Sequence, residues 1–176
     1  MNNTKKLILS SLLLALSMLL PFLTGQIPQI GNMLTPMHIP VLLCGFLCGW
    51  PYGLIIGFIA PLLRFFLFGM PPLIPIGILM TFELATYGFV SGYIFNKVKP
   101  TLSKIYITLI ISMICGRIIW GITSYILANI LNMDFSLQIY INLAFITAIP
   151  GIIFQLITIP AIVFKLGSNH SKTVLR

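Results

Sequence analysis

Acidic residues are almost absent from this chain of 176 residues, which contains two of them, Glu83 and Asp134. Only Glu83 lies inside an apolar run, because Asp134 belongs to a segment that we expect to be a loop outside the membrane. An ion-coupled or proton-coupled pump normally needs more titratable groups along its path. If the chain transports a solute, the energy is therefore expected to come from another protein.

Catalytic motifs are also missing. The sequence has no glycine-rich Walker loop, no His-Glu-x-x-His, and no serine or cysteine nucleophile beside a suitable base. Cysteine is scarce, and Cys44 and Cys48 stand four residues apart on an apolar segment without histidine or carboxylate ligands nearby. We therefore predict that the chain is not an enzyme, and that the cysteines are small buried side chains rather than metal ligands or a disulfide.

Hydrophobic residues make up 59% of the chain and charged residues 7%, with a mean hydropathy of +1.09. This leaves too little polar surface for a water-soluble globule, so the composition predicts a membrane protein. The net charge of +8 comes from basic residues near the ends of apolar runs rather than on one soluble face. Membrane topology explains that pattern better than nucleic-acid binding does.

Apolar runs predict an all-α, compact bundle of six transmembrane helices that forms one domain over residues 1–176. Each span needs about 20 residues, although the second run is short. The predicted spans are 7–23, 38–48, 51–68, 73–95, 105–131 and 138–166. The first run follows a basic start without an Ala-x-Ala cleavage pattern, so we interpret it as a retained span.

Charge parity favours six spans over five, the alternative being one long helix over residues 38–68. Lys5 and Lys6 predict a cytoplasmic amino terminus, and Lys165, Lys172 and Arg176 predict a cytoplasmic carboxyl terminus. The number of crossings should then be even. The break at residues 49–51, Gly-Trp-Pro, is accordingly expected to be a tight cytoplasmic turn.

The longest outer connection, 24–37, is semi-apolar and broken by glycines and prolines. It cannot be helical throughout. Irregular backbone near a membrane is tolerated where it lines a cavity, so this segment is expected to be a lid over the outer mouth, with an ordinary linker as the alternative.

Glu83 and Arg117 are expected near the midplane on the fourth and fifth spans. Opposite charges at one depth favour an ion pair, since pairing offsets much of the cost of burial. The pair could be purely structural or could contact a substrate. Arg64, nearer the outer end of the third span, has no acidic partner available, so it either extends to the headgroups or holds an anion.

Other polar and aromatic residues could line a pocket that opens to the outside. Trp120 lies one turn from Arg117 and could stack on a ligand or pack in the core. An interfacial histidine or tyrosine is also a common bilayer anchor. The candidates beside the charged residues are His38, Tyr87, Trp120, Asn129, Tyr140 and Asn142.

Small residues indicate close helix packing at two places. Ser11 and Ala15 share one stripe of the first span, which would let another helix approach. Gly45, Gly49 and Gly53 begin a ladder with four-residue spacing that continues to Gly57, and tight internal packing is the expected role there.

Taken together, the chain resembles an S component, the substrate-capturing subunit of energy-coupling factor (ECF) vitamin transporters. The resemblance rests on six spans in a short chain, the basic start, the run PMHIPVLLCGFLCG at 36–49 with Tyr52-Gly53, and the block FELATYG at 82–88. The local sequence is most similar to the pantothenate-type branch. Relatives bind riboflavin, cobalamin or queuosine precursors, so the resemblance leaves the vitamin open.

The resemblance implies a multi-pass protein of the bacterial cell membrane that binds a micronutrient from outside. The expected partners are a transmembrane coupling subunit and two cytoplasmic ATPases, and no cofactor is expected in this chain because the ATP is hydrolysed by those partners. Ser11 and Ala15 match the family's Ala-x-x-x-Ala docking stripe, with serine in place of one alanine, and 24–35 matches its closing loop. Two rival classes are a stand-alone facilitator and a membrane assembly protein without a ligand.

Overall fold

The computed structural model describes residues 2–24, 33–97, 101–132, 136, 138, 141–142 and 146–173, with only the backbone at 24 and 167–173. Six helices and no strand occur within these residues, which confirms the all-helical prediction. The helices are α1 (Asn3–Leu19), α2 (His38–Cys48), α3 (Trp50–Phe68), α4 (Ile78–Phe95), α5 (Leu102–Ile130) and α6 (Ile149–Thr173). A 3₁₀ turn, Leu20–Thr24, continues α1.

Within the described residues, five segments are long and apolar enough to cross a membrane, namely Asn3–Leu23, Trp50–Phe68, Leu73–Phe95, Leu102–Ile130 and Ile149–Leu166. Large side chains on these helices are exposed, among them Leu12, Phe66 and Ile118. Apolar surface of this extent is unusual for a protein in water and normal for one in lipid. The chain is therefore a multi-pass membrane protein.

Helix α2 differs from the others, since it has 11 residues and all but one of them are buried. At 1.5 Å per residue it is about 16 Å long, roughly half of the hydrocarbon thickness. It packs against α1, α3, α4 and α6. The predicted range 38–48 is reproduced, but a full crossing by this helix, and with it the count of six spans, stays a prediction.

The predicted turn after α2 is present at Gly49, where φ is 96°. The chain reverses there, because a Cβ placed on Gly53 would lie 2.8 Å from Cα of Gly45. In one continuous helix those residues would be about 12 Å apart. The alternative of a single helix over residues 38–68 is thus wrong.

Glycines also allow α4 to lie directly against the α2–α3 hairpin. A Cβ on Gly88 would overlap the backbone of Gly53, and a Cβ on Gly57 would overlap the backbone of Leu84. On the α2 side, a Cβ on Gly45 would lie 2.6 Å from the carbonyl oxygen of Gly88. The glycine ladder is therefore a packing device, as predicted, and it holds α2 and α4 side by side in parallel.

Prolines lie near the starts of two helices. The segment Leu73–Gly77 is an irregular helical turn with non-helical dihedral angles at Ile74, the residue before Pro75. The sixth predicted span, 138–166, contains a helix that starts at Ile149 with Pro150 in its first turn, a position where the missing N–H costs nothing. The predicted start of this span at residue 138 stays a prediction. Residues 139–140 and 143–145 lie outside the described part of the chain.

Candidate functional site

The carboxylate of Glu83 on α4 lies in the interior of the bundle, with 2% of its side chain exposed. Its Oε1 accepts a hydrogen bond from the Tyr87 hydroxyl at 2.9 Å and lies 3.0 Å from Nη1 of Arg117 on α5. The predicted ion pair between the fourth and fifth spans is therefore confirmed. Tyr87 stands one turn after Glu83 on the same helix face, which is why its hydroxyl reaches Oε1 of Glu83.

His38, the first residue of α2, completes this group from the other side. Its Nε2 lies 3.6 Å from Oε2 of Glu83, slightly longer than a hydrogen bond, and its ring lies 5.4 Å from the ring of Tyr87. Neither ring nitrogen of His38 has a hydrogen-bond partner within the described residues, although the residue is 2% exposed. We call His38, Glu83, Tyr87 and Arg117 the polar cluster.

Two charged side chains of the polar cluster compensate each other. The carboxylate of Glu83 and the guanidinium of Arg117 cancel each other, and pairing offsets the cost of burying each charge. The imidazole of His38 is less well satisfied, since a buried polar group without a hydrogen bond costs about 1–3 kcal/mol. The cluster thus has spare hydrogen-bonding capacity at His38, while the charges of Glu83 and Arg117 compensate each other.

A glycine on α5 brings the cluster together. A Cβ on Gly116 would overlap the aromatic ring of Tyr87, so only glycine lets that ring lie flat against α5. The next residue along α5 is Arg117, which is 8% exposed. The close approach at Gly116 is therefore what places the guanidinium within reach of Glu83.

Arg64 lies apart from the cluster, near the end of α3, and is 3% exposed. Its Nη1 donates to the carbonyl oxygen of Met18 at 2.6 Å. That carbonyl lies three residues before Pro21, which has no N–H to offer it in the 3₁₀ turn. The expectation that Arg64 extends to the headgroups is therefore wrong.

The guanidinium of Arg64 is also enclosed by two aromatic rings. Its Cζ lies 5.2 Å from the ring centre of Phe22 and 5.4 Å from that of Phe68. These distances fit cation–π contacts, and the two rings meet edge to face at 4.9 Å. Arg64 thus fastens the end of α1 to the end of α3, and its expected contact with an anion stays a prediction.

The last part of the predicted lid is residues 33–37, which we call the lid root; residues 25–32 lie outside the described part of the chain. Thr35 has a left-handed backbone, with φ at 42°, and its carbonyl accepts the N–H of His38 at 3.1 Å. Its hydroxyl accepts a hydrogen bond from Nε2 of Gln155 on α6 at 2.7 Å. The lid root is therefore hydrogen-bonded to α6 three residues before His38 of the polar cluster.

Gly151 makes this attachment possible. A Cβ at that position would lie 2.5 Å from the carbonyl oxygen of Met33 and 2.8 Å from Oγ1 of Thr35. The backbone of the lid root consequently lies directly on α6. The sequence did not single out Thr35, Gly151 or Gln155 as site residues, and a glycine among apolar residues was the one available signal for close approach.

The remaining candidates do not join the polar cluster in the same way. Trp120 is half-buried one turn beyond Arg117 on α5. Asn129 is exposed and donates to the carbonyl of Tyr125 in its own helix at 2.8 Å. Asn142 is exposed, and its carbonyl accepts the N–H of Thr147 at 2.8 Å. Tyr140 and Asp134 lie outside the described residues, and the expected ligand roles stay predictions.

The stripe predicted for docking lies on the free face of α1. Ser11 and Ala15 are both exposed, and the Ser11 hydroxyl bonds to the carbonyl of Leu7 in the same helix.

Cys44 and Cys48 are buried and free, as expected for small core residues. Among the described residues no group of three or more histidine, cysteine or acidic side chains could hold a metal ion.

Comparison with known proteins gives one match. Searches of curated proteins and of solved structures returned no significant similarity. A family model described as "ECF transporter, substrate-specific component" matches residues 5–165, which is nearly the whole chain and includes the polar cluster, the lid root and the α1 stripe. The family comprises substrate-binding components of transporters rather than enzymes. The chain belongs to the substrate-specific component family of ECF transporters.

Proposed function

We propose that this protein captures a water-soluble vitamin or a related micronutrient from the outer side of the cell membrane, with the polar cluster as the centre of its binding site. The observation that carries the proposal is the imidazole of His38, which is buried but has both ring nitrogens without a hydrogen bond among the described residues. Buried polar groups are normally paired, so an unpaired one beside a charged group indicates a place for a ligand.

The chemistry of the cluster favours a ligand that offers hydrogen bonds there rather than a net charge. Glu83 is already compensated by Arg117, and a second charge next to this pair would be buried without a counter-ion. An amide, hydroxyl or ring nitrogen could pair with His38 at no such cost. A carboxylate elsewhere on the ligand would need the cation of Arg64, which already donates to Met18.

Pantothenate is the first ligand to test, because it combines an amide and hydroxyl groups with one carboxylate. Riboflavin, cobalamin and queuosine precursors are the alternatives within the same family. The lid, attached at Thr35 and Gln155, would close over the ligand. In this proposal both termini are cytoplasmic and the chain crosses the membrane six times.

Delivery to the cytoplasm is proposed to depend on a transmembrane coupling subunit and two ATPases. Glu83 is the one buried carboxylate among the described residues and is already paired with Arg117, so the chain has no evident means of driving uptake by itself. Ser11 and Ala15 are proposed as the docking stripe, since small exposed side chains on α1 would allow another helix to approach closely.

The test is to identify small molecules that co-purify with the protein from rich medium, by mass spectrometry, and to titrate the purified protein with each candidate vitamin by calorimetry. We expect one vitamin to bind tightly, and His38→Phe to weaken its binding at least tenfold, or about 1.4 kcal/mol. The matched control is His170→Phe near the end of α6. A facilitator or an assembly protein would retain no vitamin, and equal affinity of the two variants would remove His38 from the site.

A further inference from the structure

A second candidate site lies on the lipid-facing surface, away from the polar cluster. It is an apolar groove of about 460 Å³ where α3, α4 and α5 meet. The groove is lined by large side chains that include Leu54, Phe82, Phe89 and Ile118, and by smaller ones that include Ala85 and Cys115. We call it the α3–α5 groove.

An aromatic ladder leads from this groove to the end of α4. The ring of Phe89, which lines the groove, stacks on Tyr93 at 5.6 Å with an interplanar angle of 16° and meets Trp50 edge to face at 5.6 Å. The ammonium of Lys97 lies 3.9 Å above the centre of the Tyr93 ring and donates to its hydroxyl at 2.6 Å. A fixed cation therefore stands at one end of the apolar groove.

The depths of these groups match the two parts of a phospholipid. At about 1.5 Å per residue, Phe89 lies about 9 Å and Phe82 about 20 Å from the end of α4 at Phe95. Half of the hydrocarbon layer is about 15 Å thick, so the part of the groove at Phe89 lies at the level of the acyl chains of the nearer leaflet and the part at Phe82 lies past the midplane. Trp50, Tyr93 and Lys97 lie at the level where aromatic and basic residues meet the headgroups.

We propose that the α3–α5 groove binds an anionic phospholipid from the leaflet on the Lys97 side, with one acyl chain in the groove and its phosphate at Lys97. The alternative occupant is a helix of another membrane protein. Close helix contacts in membranes favour small residues, whereas five of the nine residues that line this groove are Leu, Phe or Ile. A flexible acyl chain can follow such an uneven surface, and the lysine supplies the charge complement for the headgroup.

Native mass spectrometry of the purified protein tests this proposal, with phosphatidylglycerol and phosphatidylcholine as the two probes. We expect the protein to retain phosphatidylglycerol at least fivefold better than phosphatidylcholine. Lys97→Gln should abolish this preference. Lys104→Gln is the matched control, because Lys104 is exposed at the start of α5 but lies outside the ladder, and the preference should persist in it.

Filling the groove tests the acyl-chain part separately. Ala85→Phe should reduce retention of both lipids at least fivefold, and the milder Ala85→Leu provides a second variant if the larger one does not fold. Equal retention of the two lipids by the wild-type protein would overturn the proposal. Equal effects of Lys97→Gln and Lys104→Gln on the preference for phosphatidylglycerol would also overturn it. Undiminished lipid retention when the groove is filled would do the same.

Discussion

Gln155 on α6 donates a hydrogen bond to the hydroxyl of Thr35 at 2.7 Å, although 120 residues separate them in the chain. Thr35 holds a left-handed backbone that a β-branched residue rarely adopts, at a cost of order 1–3 kcal/mol. The hydrogen bond and the close contact at Gly151 help to keep it there. Helix α6 thus holds the lid root at Thr35. The backbone carbonyl of the same residue accepts the N–H of His38.

Loss of this hydrogen bond should loosen the lid. In Gln155→Leu we expect the bound vitamin to dissociate about tenfold faster, because the lid root no longer has its partner on α6. Thr35→Val should have a similar effect, and the double variant should be no worse than either single one, since both remove the same bond. Stopped-flow measurement of vitamin release checks this, and additive effects of the two changes would contradict it.

Breaking the buried ion pair should destabilise the bundle. Glu83→Leu leaves the guanidinium of Arg117 buried without a counter-charge, so we expect the free energy of unfolding to fall by about 3–5 kcal/mol. Arg117→Met in the same protein should recover most of this loss. Thermal unfolding in detergent measures both variants.

The same double variant separates two roles of the pair. If Glu83 and Arg117 serve only to join helices, the double variant should bind the vitamin normally. We expect instead that stability returns while affinity stays at least tenfold reduced, because His38 has lost the charged neighbour at 3.6 Å that orients it. Normal affinity in the double variant would leave the pair a purely structural feature.

Arg64→Met should lower the stability of the protein, because the carbonyl of Met18 loses the donor that replaces the missing N–H of Pro21. The expected loss is about 1–3 kcal/mol in the free energy of unfolding. Arg64→Lys should restore part of it by supplying one donor. An unfolding temperature equal to that of the wild type would show that this contact contributes nothing, and loss of affinity alone would instead favour a ligand contact.

Bulk on the free face of α1 should block delivery but not capture. In Ser11→Trp and Ala15→Trp we expect unchanged vitamin affinity and at least tenfold slower uptake by cells that contain the complete transporter, because a coupling helix could no longer approach closely. Ile122→Trp is the control, since Ile122 is exposed on α5 and far along the chain from this stripe. Normal uptake by the α1 variants would rule out the stripe as the docking surface.

Much of the site was predictable because charge burial is so costly in an apolar bundle. Glu83 and Arg117 had to meet once both were assigned to the interior of neighbouring spans, and the structure confirms it at 3.0 Å. Tyr87 follows from its position one turn after Glu83. His38 could be suspected but not placed, because its contact with Glu83 depends on α2 lying parallel to α4.

Arg64 shows why other interactions could not be predicted. The sequence presents a cation without an acidic partner, so contact with the headgroups or with an anion was the expectation. Its actual acceptor is a backbone carbonyl on α1, which carries no sequence signature of its own. The same holds for Gly116 and Gly151, whose purpose is visible only from the Tyr87 ring and the lid root that lie against them.

The amino-acid sequence by itself determined that this is a membrane protein, its helical class, the turn at Gly49 and the pairing of Glu83 with Arg117. Those features follow from composition, from local backbone preferences and from the cost of burying an ion. Only the tertiary structure decided which helix faces meet, and thereby that His38 joins Glu83, that Gln155 fastens Thr35 and that Lys97 stands above an apolar groove. Such contacts depend on how far two backbones can approach each other, and that distance is set by packing between segments remote in the chain.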